Sequence, residues 1–254
     1  MSEEKNKKVK SEETAEKSAT SKSRKAEEAK STEKTANVAD EVKSETKTTV
    51  NDVKKSMKDV DVKKDAKATS GFITSFFKNP LSKFDEIAND SKYKNFKIAI
   101  ILVIVWTAIV LISAIGSQSW KFVNTGANIL AIIKRILAPI FSIIVFSAII
   151  YCMQKSTKKS LTTILTSVTT AQIPTIIASI ISLIDLFSSS AYRLTNPISY
   201  FAGIISLIFT YFATKSLLGI EKDNEFIQKF IIIEGIYYIA YLIISFLGIF
   251  MYSL

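Results

Sequence analysis

The sequence predicts an all-α polytopic membrane helix bundle with five transmembrane helices, preceded by a disordered, charged N-terminal region. Three observations carry this expectation. Five apolar stretches lie between Ile98 and Tyr252, each as long, or nearly as long, as a bilayer crossing requires. Residues 1–70 contain no aromatic residue, no glycine and no proline, and consist almost wholly of Lys, Glu, Ser, Thr, Ala and Val. Lys and Arg residues are then distributed unequally between alternate connections of the apolar part.

The head comes first. A segment of its composition buries too little apolar area to offset the entropy of ordering it. It holds 18 Lys and Arg against 15 Asp and Glu, so only +3 of the chain's net +10 resides there. The rest accompanies the membrane domain and favours anionic lipid headgroups. Stretches such as KSEETAEK and KAEEAK place Glu and Lys three or four residues apart, which supports fluctuating, coiled-coil-like helix worth only tenths of a kcal/mol per pair. Val50, Val53, Met57 and Val60 fall at helical spacing among Lys54, Lys55 and Lys58, a thin apolar face that reads as a weak solvated helix.

Residues 71–95 have another texture. Phe72, Ile73, Phe76 and Phe77, then Leu81, Phe84 and Ile87, predict two short amphipathic helices, the second capped by Asn79 with Pro80 in its first turn. Lys78, Lys83, Lys92, Lys94 and Lys97 suit helices lying in the inner headgroup layer; packing against the bundle is the alternative.

The transmembrane domain, 96–254, divides into spans at about 98–116, 136–153, 171–187, 198–218 and 230–252. A loop with Trp120 and Lys121 follows the first. The second has an apolar approach from Ile129, interrupted by Lys134 and Arg135, each of which would cost roughly 3 kcal/mol at mid-bilayer and is expected to snorkel outward. The third is extended backward by the polar, helix-like LTTILTSVTT. No secretory signal is legible at Met1, so the first span is expected to serve as its own insertion signal. Eleven Lys residues near span ends fall on the head side against four Lys and Arg on the other. The positive-inside rule then places the head in the cytoplasm, and an odd number of spans places Leu254 outside a cell membrane.

Candidate functional residues lie within the spans. Pro139 and Pro174 free backbone carbonyls and permit the bends from which transporter sites are built, though simple kinks use the same residue. Ser199, Gly203, Ser206, Thr210 and Thr214 share one face of the fourth span, and Gln172, Thr175, Ser179 and Ser182 one face of the third. Such stripes serve close helix packing or line a hydrophilic path. Asp185, near the outer end of the third span, and Glu234, about one turn into the fifth, are carboxylates in apolar sequence. Arg193 is a counter-charge available to Asp185, and Lys215 or Lys229 to Glu234.

Several chemistries lack their residues. The chain has no histidine and one cysteine, Cys152, which leaves no intramolecular disulfide and no Cys/His zinc set. A Ser/His protease has no base, one Asp in a span does not make an aspartyl dyad, and no G-x-G cradles phosphate. The expectation is a non-enzymatic protein with no catalytic, metal or cofactor-binding residues. Its expected partners are the lipid bilayer, further proteins and copies of itself, with no nucleic acid among them.

From about residue 76 to 254 the order of features resembles the Yip family, membrane proteins first described as interacting with Ypt/Rab GTPases, in its prokaryotic branch. The resemblance rests on NPLSKF before the first span, TSVTTAQIPTIIASIISLI with Pro174 opening the third, and KSLLGIEK leaving the fourth. It implies a helical bundle acting as a membrane scaffold or adaptor and assigns no catalytic residue. The Asp-Leu-Tyr-Gly-Pro motif of the eukaryotic branch has no counterpart here, so Rab binding is not carried over. The residues themselves leave a second function open, a small transporter or channel subunit whose third and fourth spans line a path.

Overall fold

The computed structural model describes residues 62–89, 96–117, 125–154, 159–188 and 190–246, with a few positions between 44 and 55. The chain divides into two compact units, 1–50 and 51–254. In the first, Ser44, Lys47, Thr48 and Val50 are helical, and the Thr48 hydroxyl donates to the Ser44 carbonyl at 3.2 Å. Apart from those four, Asn51, Lys54, Lys55 and residues 62–70, the expected disordered head lies outside the described residues, Val53, Met57 and Val60 of the thin amphipathic segment included, as do Trp120, Lys121 and the last eight residues.

The second unit is helical throughout its described residues. Its elements are α1 (Val62–Lys78), α2 (Pro80–Ala88), α3 (Phe96–Ser117), α4 (Thr125–Met153), α5 (Leu161–Ala171), α6 (Ile173–Ile181) continued by a 3-10 turn (Ser182–Leu186), α7 (Tyr192–Leu218) and α8 (Asp223–Phe246). Four of these helices are long and apolar enough to cross a bilayer: Phe96–Gly116, Ile132–Met153, Tyr192–Leu218 and Asp223–Ser245. The pair α5 and α6 with its 3-10 turn makes a fifth if taken as one broken span, bent by 44°. The all-helical membrane bundle expected from sequence is therefore the fold.

Several boundaries differ from expectation. Helix α1 begins at Val62 and runs through the compositional border at Ser70, because Asp65 is buried in an ion pair with Lys97 at 2.8 Å that ties the polar end of α1 to the start of α3. Helix α4 is continuous from Thr125, with Lys134, Arg135 and Pro139 inside it. Helix α7 starts at Tyr192, ahead of Pro197. Helix α8 starts at Asp223, seven residues before the apolar run, with Asp223 and Glu225 placed where acids favour a helix N-terminus.

Helices α1 and α2 pack against the bundle. Phe76 and Phe84 are fully buried; Phe76 meets Phe84 edge to face at 5.5 Å and Phe209 of α7 at 4.9 Å. Asn79 caps α2 by accepting from the Ser82 N–H at 3.3 Å, and Pro80 occupies the first turn. Polar ties complete the platform: the Ser216 hydroxyl donates to Asp85 at 2.7 Å and Lys159 donates to Asn89 at 3.2 Å. Phe77 and Leu81 remain about half exposed on the other face. Across the bundle a second apolar core joins Ile143, Phe146 and Ile150 of α4 to Ile164 and Val168 of α5, Leu217 of α7 and Phe226 and Ile233 of α8. Gly219, at φ 59°, ends α7 in the left-handed conformation that glycine adopts without penalty, and its N–H returns to the Lys215 carbonyl at 3.0 Å.

Candidate functional site

Helix α5 is polar and almost wholly buried. Thr162, Thr163, Thr166, Ser167, Thr169 and Thr170 are each less than a tenth exposed. The Thr166 and Thr170 hydroxyls donate to the carbonyls one turn back, both at 2.8 Å, so they spend their hydrogens inside their own helix. Ser160 caps the N-terminus by accepting from the Thr163 N–H. At Gln172 the helix breaks. Pro174 has no N–H to continue the ladder, and α6 restarts at a 44° angle.

Helix α7 satisfies the break. The Ser206 hydroxyl accepts from the Thr175 N–H at 3.3 Å and pairs with the Thr175 hydroxyl at 2.8 Å. The Gln172 amide reaches Thr210 at 3.5 Å, while Thr210 donates to the Ser206 carbonyl at 2.8 Å. Thr214 lies one turn further along, fully buried, donating to the Thr210 carbonyl. Ser199 meets Ser182 at 3.2 Å toward the opposite end. The predicted stripes of the third and fourth spans thus face each other.

Beside the break is a cavity of about 190 Å³. Its walls are Trp106 of α3, Ser142, Ile143 and Phe146 of α4, Val168 of α5, Gln172, Thr175 of α6, Gly203, Ser206, Leu207 and Thr210 of α7, and Glu234 and Tyr237 of α8. Tyr237 is fixed by a hydrogen bond with the Ser142 hydroxyl and stands edge to face on Phe146 at 5.4 Å. An adjoining lobe of about 480 Å³ extends away from the α7–α8 hairpin, lined among others by Arg135, Pro139, Ser179, Ser182 and Tyr241, and shares Trp106 and Ser142 with the first.

No family model, no curated protein and no solved structure matches this chain. The geometry alone defines what the site can do.

Glu234 is deeper than its place in the apolar run suggests. It stands eleven residues into the candidate span Asp223–Ser245, about 16 Å along the helix axis and near its middle. Its expected counter-charges are committed elsewhere, Lys215 to Asp223 at 2.6 Å and Lys229 to Glu225 at 3.0 Å. Asp185 goes a different way: both carboxylate oxygens accept from the Thr195 hydroxyl at 2.8 Å, and the residue lines neither lobe. The two carboxylates are not brought together. Of the predicted residues, Gly203, Ser206, Thr210 and Glu234 meet in one cavity, Pro139 lines the lobe beside it, Pro174 sets the break, and Ser199, Thr214 and Asp185 serve helix contacts. Trp106, Ser142 and Tyr237 were not predicted. The available signal was Tyr237 one turn after Glu234 within the aliphatic run of α8.

The cavity is bordered on one side by the seam between α7 and α8. Those helices meet beside their hairpin, where Tyr211 packs on Phe226 at 4.8 Å and Phe230 at 5.1 Å, while α8 otherwise rests mainly on α4. Gly203 and Leu207 stand exposed on the α7 side of the seam. A Cβ built at Gly203 meets nothing within 4 Å.

Proposed function

We propose that this membrane protein binds a small polar solute in the cavity at the α5–α6 break and passes it across the bilayer. The observation that carries the reading is the coincidence, at mid-span, of a broken helix, a cavity with both polar and apolar walls, and the carboxylate of Glu234. A carboxylate at that depth costs about 3 kcal/mol or more and marks a solute or ion path by default. Broken helices near the midplane are where transporters place their sites, since backbone that leaves the helix must line a cavity or be buried in protein.

Water access tests this directly. In a Cys152→Ser background, Gly203→Cys should react with a small hydrophilic thiol reagent in intact vesicles, because the new side chain enters open space in the wall of the cavity that holds Glu234. Gly235→Cys, which also meets no neighbour but follows Glu234 on the exposed face of α8, should stay unreacted. Equal protection of both cysteines would remove the hydrated cavity, and the proposed function with it.

A Yip-type scaffold is the second reading, and what favours it is the platform of α1 and α2. It is fixed to α3, to α7 and to the start of α5 by named contacts, and its outer face presents Phe77 and Leu81. In both readings the protein sits in the cell membrane with the platform on the cytoplasmic side, next to anionic lipid, and the broken pair counts as one crossing. Reporter fusions at the two termini should then report opposite sides. Reporters on the same side would make α5–α6 a re-entrant segment and exclude the five-span topology on which the Yip resemblance depends.

A further inference from the structure

We infer that the cavity takes an ammonium group, carried by a small amine or by an amine-headgroup lipid that enters along the α7–α8 seam. This rests on the solute-binding reading above and names the solute's chemistry.

Charge comes first. Among the described residues of the cavity wall, Glu234 is the one carboxylate and none is Lys or Arg. Lys215 and Lys229 are held by Asp223 and Glu225, and Lys222 lines a separate pocket at the α7–α8 hairpin. Arg135 belongs to the outer lobe, seven residues and about 10 Å along α4 from Ser142. A mid-span carboxylate with no cation in its own cavity is stabilised by a cation that arrives from outside, whereas an anion there meets only like charge.

The rest of the wall selects the kind of cation. Trp106, Phe146 and Tyr237 supply aromatic surface, and the negative faces of such rings attract an ammonium. The hydroxyls are already engaged: Ser142 with Tyr237, Thr175 with Ser206, and Thr210 with the Ser206 carbonyl. A sugar would find few uncommitted polar partners, and an inorganic cation needs several converging oxygens to replace its hydration shell. An alkylammonium needs one counter-ion and an apolar or aromatic surround. The size is consistent, since 190 Å³ corresponds to about six waters at ~30 Å³ each, room for a small amine or one headgroup.

The chain supplies its own reporter. It has two tryptophans, and Trp106 lines the cavity, so Trp120→Phe leaves a single tryptophan, at the site, that can be excited selectively over the tyrosines. The full-length Trp120→Phe protein, in nanodiscs of phosphatidylglycerol, would be titrated with choline and with ethanolamine at constant ionic strength. Glycerol, acetate and sodium serve as neutral, anionic and inorganic comparisons.

A saturable change of Trp106 emission is expected with the amines alone. Glu234→Gln should weaken it by about tenfold or more, Glu234→Asp should restore part of it, and Gly203→Leu should abolish it by filling the space. In nanodiscs containing phosphatidylethanolamine, a shifted starting emission and a lost response to free amine would identify the lipid as the source. An unchanged response there would identify the soluble amine. Equal response to glycerol, response to sodium alone, insensitivity to Glu234→Gln, or silence in both lipids would overturn the assignment. If the Gly203→Cys thiol is water-accessible and amines still give no signal, only the ammonium assignment fails; if that thiol is protected, the solute-binding reading fails too.

Discussion

Replacing Phe76 with alanine is expected to cost about 3 to 5 kcal/mol and to release the platform from the bundle. The ring is fully buried where α1, α2 and α7 meet, against Phe84 at 5.5 Å and Phe209 at 4.9 Å. Its removal takes away transfer energy and leaves a hole that stiff neighbours cannot close, since Phe209 is fixed by α7 and Phe84 by a short capped helix. The neighbouring Phe77 provides the control. It is about half exposed, and Phe77→Ala should cost under about 1 kcal/mol by loss of partial burial. Thermal unfolding in detergent, with limited proteolysis of α1, measures both. Equal effects of the two substitutions would mean that the platform does not depend on this contact.

Ser206→Ala should cost about 1 to 3 kcal/mol, more than the loss of one hydroxyl in a helix interface ordinarily does. The Thr175 N–H at the start of α6 is given to Ser206, so alanine leaves a backbone donor unpaired beside the break. Thr175→Ala is the matched comparison. It removes the 2.8 Å hydroxyl pair yet leaves the N–H bonded to Ser206, and should cost only about 0.6 kcal/mol. Unfolding of both variants in the same detergent gives the ordering. If Thr175→Ala is the worse of the two, the backbone N–H is satisfied by another route and α7 does not hold the break open.

The bundle was legible because lipid writes a strong signal: Phe96–Gly116 carries no charged side chain after Lys97, and no soluble helix of that length reads the same way. Ends were less legible where polar residues belong to the helix. Val62–Ser70 looks like the charged head by composition and is helix because Asp65 finds Lys97 thirty-two residues away, a partner that no local pattern indicates. Counting from Phe230, where the apolar run starts, puts Glu234 about one turn into its span. Asp223 and Glu225 mark the N-terminus of the helix seven residues earlier, and Glu234 shares its cavity with Trp106, Ser142 and Ser206, each near the middle of its own candidate span. Proline signalled the break at Pro174, but its angle and its partner on α7 depend on packing. The cavity was the least legible feature, since its walls come from six helices and two of its fixed points, Ser142 and Tyr237, become a pair only across ninety-five residues.

The eleven-residue α5 has a consequence for how the protein is made. At about 16 Å it reaches only halfway through a hydrocarbon layer of about 30 Å, and six of its residues are Ser or Thr. Such a segment has little drive to leave the translocation channel for lipid unaided. Its place in the bilayer is prepared by helices made before it, α3 and α4, and closed by α7, made after it, whose Ser206 and Thr210 meet the break. The cavity is therefore assembled late, when the ribosome has already passed the residues that form its floor.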